Sequence, residues 1–177
     1  WINLITDSGP ALAMGVDPSV EDVMGRRPRR PEDHVVDAAM WGGVILIGAV
    51  MAAATLGTLD IFLPGGLVDI AGVSTDDLTR ARTAAFTTLV LAQLFNTLNS
   101  RSETVSAFSH LLVNRWLWGA IALGVVLQIA VVEVPLLQAA FSTSSLDPLH
   151  WGVTVVMASL VLWFDEVRKA VRRARTR

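Results

Sequence analysis

The chain has 177 residues, 53% hydrophobic and only 17% charged, with a mean hydropathy of +0.53 and a formal net charge of −2. Soluble domains carry roughly 25% charged residues, so this composition excludes an ordinary one. The lack of Cys excludes disulfide frameworks, zinc ribbons and thiol nucleophiles.

The missing charge is concentrated in long uncharged runs, which predict an all-α integral membrane protein. The fold expected is a bundle of four complete transmembrane helices plus the second half of a fifth at the N-terminus. In chain order, residues 1–15 form the partial helix and 16–37 a basic loop. Spans follow at 38–59, 83–100, 116–134 and 149–166, separated by connections at 60–82, 101–115 and 135–148, with a basic tail at 167–177. The longest run, Ala38–Leu59, meets the roughly 20 apolar residues that cross a bilayer. Charges bound these runs: Asp60 closes the first, Arg82 opens the second, Glu133 closes the third and Asp165–Glu166 close the fourth.

The opening stretch, Trp1 to Gly15, is apolar but carries Asn3, Thr6, Asp7, Gly9 and Pro10. It lacks the charged leader of a signal peptide and begins without Met, so it reads as a membrane helix entered part-way.

Charge placement sets the orientation. All Lys and Arg except Arg80 and Arg82 fall in alternate connections: Arg26, Arg27, Arg29 and Arg30, then Arg101 and Arg115, then the tail from Arg168 to Arg177. The positive-inside rule puts these and the C-terminus in the cytoplasm. The alternation is consistent only if the opening segment is itself a crossing. Trp41, Trp116, Trp118, Trp151 and Trp163 fall near the ends of spans, where indole rings anchor at the headgroup interface. Gly48/Ala52 and Ala120/Gly124 are small-xxx-small pairs that permit close helix packing.

Asp7 is the one ionisable side chain well inside an apolar segment, and such residues mark functional sites by default. Asn3, Thr6 and Asp7 stand at i, i+3 and i+4, so an α-helix would place an amide, a hydroxyl and a carboxylate on one face. Pro10 cannot donate to the carbonyl of Thr6, so the helix is expected to kink or unwind there. These are hard oxygen donors, suited to calcium, magnesium, manganese or alkali ions. The alternative role for Asp7 is a simple ion pair, but no Arg or Lys lies within an apolar run. His34, His110 and His150 are too dispersed for a metal trio, and nothing suggests nucleic-acid binding.

The string Trp1-Ile-Asn-Leu-Ile-Thr-Asp-Ser-Gly-Pro-Ala-Leu-Ala-Met-Gly15 resembles the sixth membrane helix of the P2-type cation-transporting ATPases, the class of the calcium and sodium pumps. Phe95-Asn-Thr-Leu-Asn-Ser-Arg-Ser102 is similar to the end of that family's eighth helix, and Asp165-Glu166 with Lys169 to the cytoplasmic end of its tenth. The resemblance spans the whole chain. It implies that Asn3, Thr6 and Asp7 are ligands of a transported cation, calcium by family default, with Asp7 shared between two sites. Gln93 stands where the two-site calcium pumps have Glu, a weaker fourth ligand that favours one ion per cycle.

The family's phosphorylated Asp-Lys-Thr-Gly-Thr string is absent, as is any Gly-rich phosphate loop. Mg-ATP would therefore act only through domains outside this sequence, and the expected partners are the N-terminal helices and cytoplasmic domains of the same pump, together with membrane lipid. The basic loop Met24–Arg30 is similar to the family's connection to the phosphorylation domain, and by charge alone also suits anionic lipid. The Arg- and Ala-rich composition points to a bacterial plasma membrane. Two other functions use the same residues: a stand-alone, non-enzymatic helical module, or a small secondary transporter subunit.

Overall fold

The structure is a computed structural model that describes residues 1–17, 38–68, 70, 73–75, 77–101, 106–108 and 113–175; the side chains of Ile5, Asp7, Ala38, Ala39 and Arg175 lie outside that description. Most of the basic loop 16–37, and with it His34, also lies outside the described residues, as does His110.

Among the described residues the regular structure is all helical, with no strand. A π-helical turn, Leu4–Ser8, leads into α1 (Gly9–Gly15). Then follow α2 (Ala38–Phe62), α3 (Leu78–Asn99), α4 (Arg115–Glu133), α5 (Pro135–Phe141) and α6 (Pro148–Arg175). Among the described residues, three stretches are long and apolar enough to cross a membrane: Met40–Phe62, Arg115–Glu133 and Pro148–Ala174. They make this an all-α integral membrane protein.

The predicted span at 83–100 behaves differently. It forms helix α3, but that helix begins at Leu78 and takes in Arg80 and Arg82, which the sequence had placed in a loop. It is also rich in Thr, Gln and Asn, and falls outside the three apolar spans. The physical reason is its position: α2, α4, α6 and the N-terminal segment pack around it, and Thr83, Thr87, Thr88, Thr97 and Asn99 are all buried. A helix sheathed by neighbours can be polar where its polar groups find partners. Thr58 and Thr88 share a buried hydrogen bond of 3.0 Å, and Gln128 Nε2 donates to Thr87 Oγ1 at 3.1 Å. Thr83 and Thr97 bond back to the carbonyls of Thr79 and Gln93. Apolar clusters pack along α3, one around Val90, Leu91, Leu94 and Val161, a second around Phe62, Val73, Ala84 and Val132, and a third around Ala13, Leu98, Leu117 and Leu162.

Three further expectations change. The connection 135–148 contains a short helix, α5, started by Pro135 at its first position, where proline's fixed φ and missing donor suit a helix. It ends at Ser142, which takes a left-handed φ of 53°. The predicted tail 167–177 continues α6 without a break to Arg175. The Gly48/Ala52 pair lies exposed on α2, while closer approaches occur elsewhere: a Cβ at Gly57 would stand 3.0 Å from Met157, and one at Gly9 3.4 Å from Ala120.

Trp41 and Trp116 are exposed in the first turns of α2 and α4, as anchoring requires, whereas Trp163 is exposed in the middle of α6, because that helix runs past the predicted span to Arg175. Trp151 instead donates from its indole to Glu133 Oε1 at 3.0 Å.

Candidate ion site on the broken N-terminal helix

Residues 1–17 run along the bundle between its two ends. At one end the Trp1 ring lies 4.9 Å from that of Phe141 in α5. At the other, Asp17 accepts a paired hydrogen bond from Arg101, at 2.8 and 3.1 Å, just beyond α3. Between them the backbone ladder widens to the π pattern over Leu4–Ser8 and returns to α at Gly9. The break sits where Pro10 removes a donor, as its position predicts. A π turn inserts an extra residue into the helical ladder and occurs frequently at functional sites.

The widened turn alters the predicted ligand face. Residues three and four apart stack in an α-helix, but an i→i+5 ladder has more residues per turn. Thr6 turns inward, 6% exposed, and its hydroxyl donates to the Ile2 carbonyl at 2.9 Å. Asn3 is exposed on the outer surface. The backbone of Asp7 lies within the π turn, and its side chain is outside the described ones.

Gln93 sits on α3, flanked by Val90, Leu91, Ala92 and Leu94, and Trp1 and Ile2 pack on the cluster these residues form. Its side-chain oxygen is buried without a hydrogen-bond partner. Buried acceptors nearly always have one, so an orphaned oxygen marks a place where another group is expected. Among the described residues no three His, Asp or Glu side chains gather to hold a metal.

The motif at the end of α3 and the Asp165–Lys169 stretch, far apart in sequence, form one buried knot. Lys169 is fully buried; its ammonium reaches Asp165 at 3.0 Å and donates to the Asn99 carbonyl at 2.9 Å. Asn99 Nδ2 donates to the Val161 carbonyl at 3.2 Å, and Arg168 pairs with Asp165 at 2.6 Å. Glu166 holds the following loop, accepting from the Ser106 hydroxyl at 2.7 Å and from the Ala107 amide. Sequence reasoning missed these roles, along with the Asp17–Arg101 pair and Asn114. Asn114 caps α4 by accepting from Leu117 N–H at 3.0 Å, and it donates to the Ala13 carbonyl at 2.8 Å. A polar residue before an apolar run does signal such a cap, but nothing local reveals the second bond.

A family model described as "Cation transporting ATPase, C-terminus" matches residues 1–171. The chain belongs to that family. Among its curated relatives, a calcium-transporting ATPase of Bacillus subtilis is 33% identical over 160 residues, covering 90% of this chain and 17% of the relative. Calcium-transporting ATPase 1 of Bacillus cereus is 31% identical, covering 98% of this chain and 20% of the relative. A mouse protein, calcium-transporting ATPase type 2C member 2, is 33% identical across 96% of this chain and 17% of its own length. The chain thus spans about a fifth of these relatives. The family match takes in every element from the π turn Leu4–Ser8 through α5 and most of α6.

Proposed function

We propose that this chain is the C-terminal part of the transport domain of an ATP-driven cation pump, and that the cation is calcium. The observation that carries the reading is the π turn at Leu4–Ser8, holding Asp7 ahead of Pro10 in a member of the cation-transporting ATPase family. An unwound membrane helix frees backbone carbonyls to join side-chain oxygens around an ion, a device of transport sites. Asn3, Thr6 and Asp7 are the proposed ligands. Thr6 already commits its hydroxyl proton to Ile2, and coordination would use the oxygen's lone pairs. Gln93, with its orphaned buried oxygen, is the proposed fourth protein donor.

A calcium shell takes 6–8 oxygens, so the remaining ligands would come from helices of the same pump outside this sequence. Two of the relatives named above as calcium-transporting ATPases support the choice of cation. Asp7 would supply the charge that compensates the cation where water is scarce, and Gln93 in place of a carboxylate favours one ion per cycle. Mg-ATP would act through cytoplasmic domains of the same protein, and the membrane would be a bacterial plasma membrane with the C-terminus inside.

The test is ATP-driven uptake of radioactive calcium into inverted vesicles containing the full-length protein. Wild type should accumulate calcium, and Asp7→Asn should abolish uptake while inserting normally. Undiminished uptake by that variant would remove Asp7 from the site, and no uptake by wild type of calcium or any other cation would remove the pump reading altogether.

A further inference from the structure

Two elements bear the proposed ion ligands: residues 1–17 carry Asn3, Thr6 and Asp7, and α3 carries Gln93. Both run toward the same end of the bundle. Residues 1–17 pass from the Trp1–Phe141 contact to Asp17 at Arg101, and α3 ends at Asn99, two residues before Arg101. Asp7 lies ten residues before Asp17, and Gln93 eight before Arg101. At a helical rise of 1.5 Å per residue these arms are roughly 15 and 12 Å long, so they reach nearly the same level.

The arms meet in one ion pair. Arg101 Nε and Nη2 donate to the two carboxylate oxygens of Asp17, at 2.8 and 3.1 Å. A guanidinium forked on a carboxylate fixes orientation as well as distance. At 4% and 11% side-chain exposure the pair is also little screened by solvent ions. Arg101 in turn stands on a fixed corner. The Asn99 carbonyl accepts from the Lys169 ammonium at 2.9 Å, and Asn99 Nδ2 donates to the Val161 carbonyl at 3.2 Å, both buried contacts to α6. The other holds on α1, Asn114 on Ala13 and Ala120 beside Gly9, tie it to α4, which carries none of the proposed ligands. The Asp17–Arg101 pair ties it to the helix that carries Gln93.

We infer that Arg101, acting through Asp17, is a positioning residue for the ion site: it holds Asp7 at the level of Gln93 and so sets the affinity for the transported cation. The inference rests on the ligands proposed above. Arg101 itself lies about 12 Å along α3 from Gln93 and does not touch the ion. An N-terminal segment released from α3 can slide or turn, and it presents all its oxygens together in only a fraction of its conformations. Apparent affinity falls by that fraction, whereas saturating cation selects the competent setting and preserves the maximal rate.

ATP-driven calcium uptake into inverted vesicles containing the full-length protein, measured across calcium concentrations, tests this. Arg101→Gln should raise the half-saturating calcium concentration roughly fivefold, the lower end of coupling between separate sites, and keep most of the maximal rate per inserted protein. The exchange Asp17→Arg with Arg101→Asp should bring the half-saturating concentration part of the way back. Should Arg101→Gln fail to insert, Arg101→Lys keeps the charge, loses the forked geometry, and should show a smaller rise of the same kind. A half-saturating concentration unchanged in the variant that inserts would overturn the proposal, as would a loss confined to the maximal rate, which a purely structural role produces. An exchange that recovers no affinity would also overturn it, by assigning the effect to lost packing and not to the pair. These results leave the pump reading standing, because wild type still transports; a wild type that accumulates neither calcium nor any other cation would remove both.

Discussion

Gln93 and Lys169 are opposite answers to the same problem, a polar side chain inside a membrane bundle. Lys169 is satisfied: at 1% side-chain exposure its ammonium reaches both Asp165 and the Asn99 carbonyl. Removing Lys169 would leave Asp165 to Arg168 alone and the Asn99 carbonyl without its buried donor, and an unsatisfied buried polar group costs about 1–3 kcal/mol. Lys169→Met should therefore lower the thermal midpoint of the detergent-solubilised protein well below wild type, and an unchanged midpoint would show that the knot contributes nothing to stability. Gln93 is unsatisfied, with a buried oxygen and no partner. If that oxygen faces the transported ion, Gln93→Glu adds the charge that tunes calcium sites and should lower the half-saturating calcium concentration on the order of tenfold. A variant that loses stability without gaining affinity would place Gln93 away from the ion. Sequence alone singled out Gln93 by its place in a motif, but it could not show that the oxygen is orphaned, because that depends on every neighbour around α3.

At the scale of elements, the N-terminal segment shows what a sequence can and cannot convey. The break was legible, since Pro10 must disturb the ladder behind it, and the π turn at Leu4–Ser8 is the form the disturbance takes. Its anchoring was not legible. Asp17 meets Arg101 across 84 residues, and Asn114 meets Ala13 across 101, pairings that no local pattern encodes. These two bonds fix the far end of α1 against the ends of α3 and α4, so any change in the π turn must occur between fixed points. Both partners of the ion pair are largely buried, Arg101 at 4% and Asp17 at 11% side-chain exposure. Arg101→Gln should speed amide hydrogen exchange across Gly9–Gly15 and leave the middle of α6 unchanged, and the charge swap Asp17→Arg with Arg101→Asp should restore part of the protection. Exchange that stays at the wild-type rate in Arg101→Gln would mean that Asn114 and the packing of Gly9 on Ala120 suffice to hold the helix. Helix α5 escaped the sequence reading for a different reason. It has no buried residue, so no apolar periodicity marks it, and Pro135 was its one signal.

Over the whole molecule, the apolar runs conveyed the number of long helices and their antiparallel order, because burial in lipid demands such runs wherever a helix faces the bilayer. They did not convey which helix is central. The polarity of α3, which lowers its standing by hydropathy, follows from being ringed by α2, α4, α6 and the N-terminal segment. The same order sends the loop ends of the bundle to opposite sides. Ser145 lies between α5 and α6, and Arg173 lies near the end of α6. Arg101, Arg115, Arg168, Lys169, Arg172 and Arg173 lie at the second end, which the positive-inside rule predicts to be cytoplasmic. The chain has no Cys, so within it an introduced thiol reports without background. In intact cells expressing the full-length protein, with any other cysteines replaced, Ser145→Cys should react with a membrane-impermeant maleimide, and Arg173→Cys should react only after the membrane is opened. Both positions are exposed, so accessibility within the fold does not limit either reaction. The reverse pattern would invert the topology and carry the proposed ion path with it, because residues 1–17 run from the end that holds α5 to the end that holds Arg101.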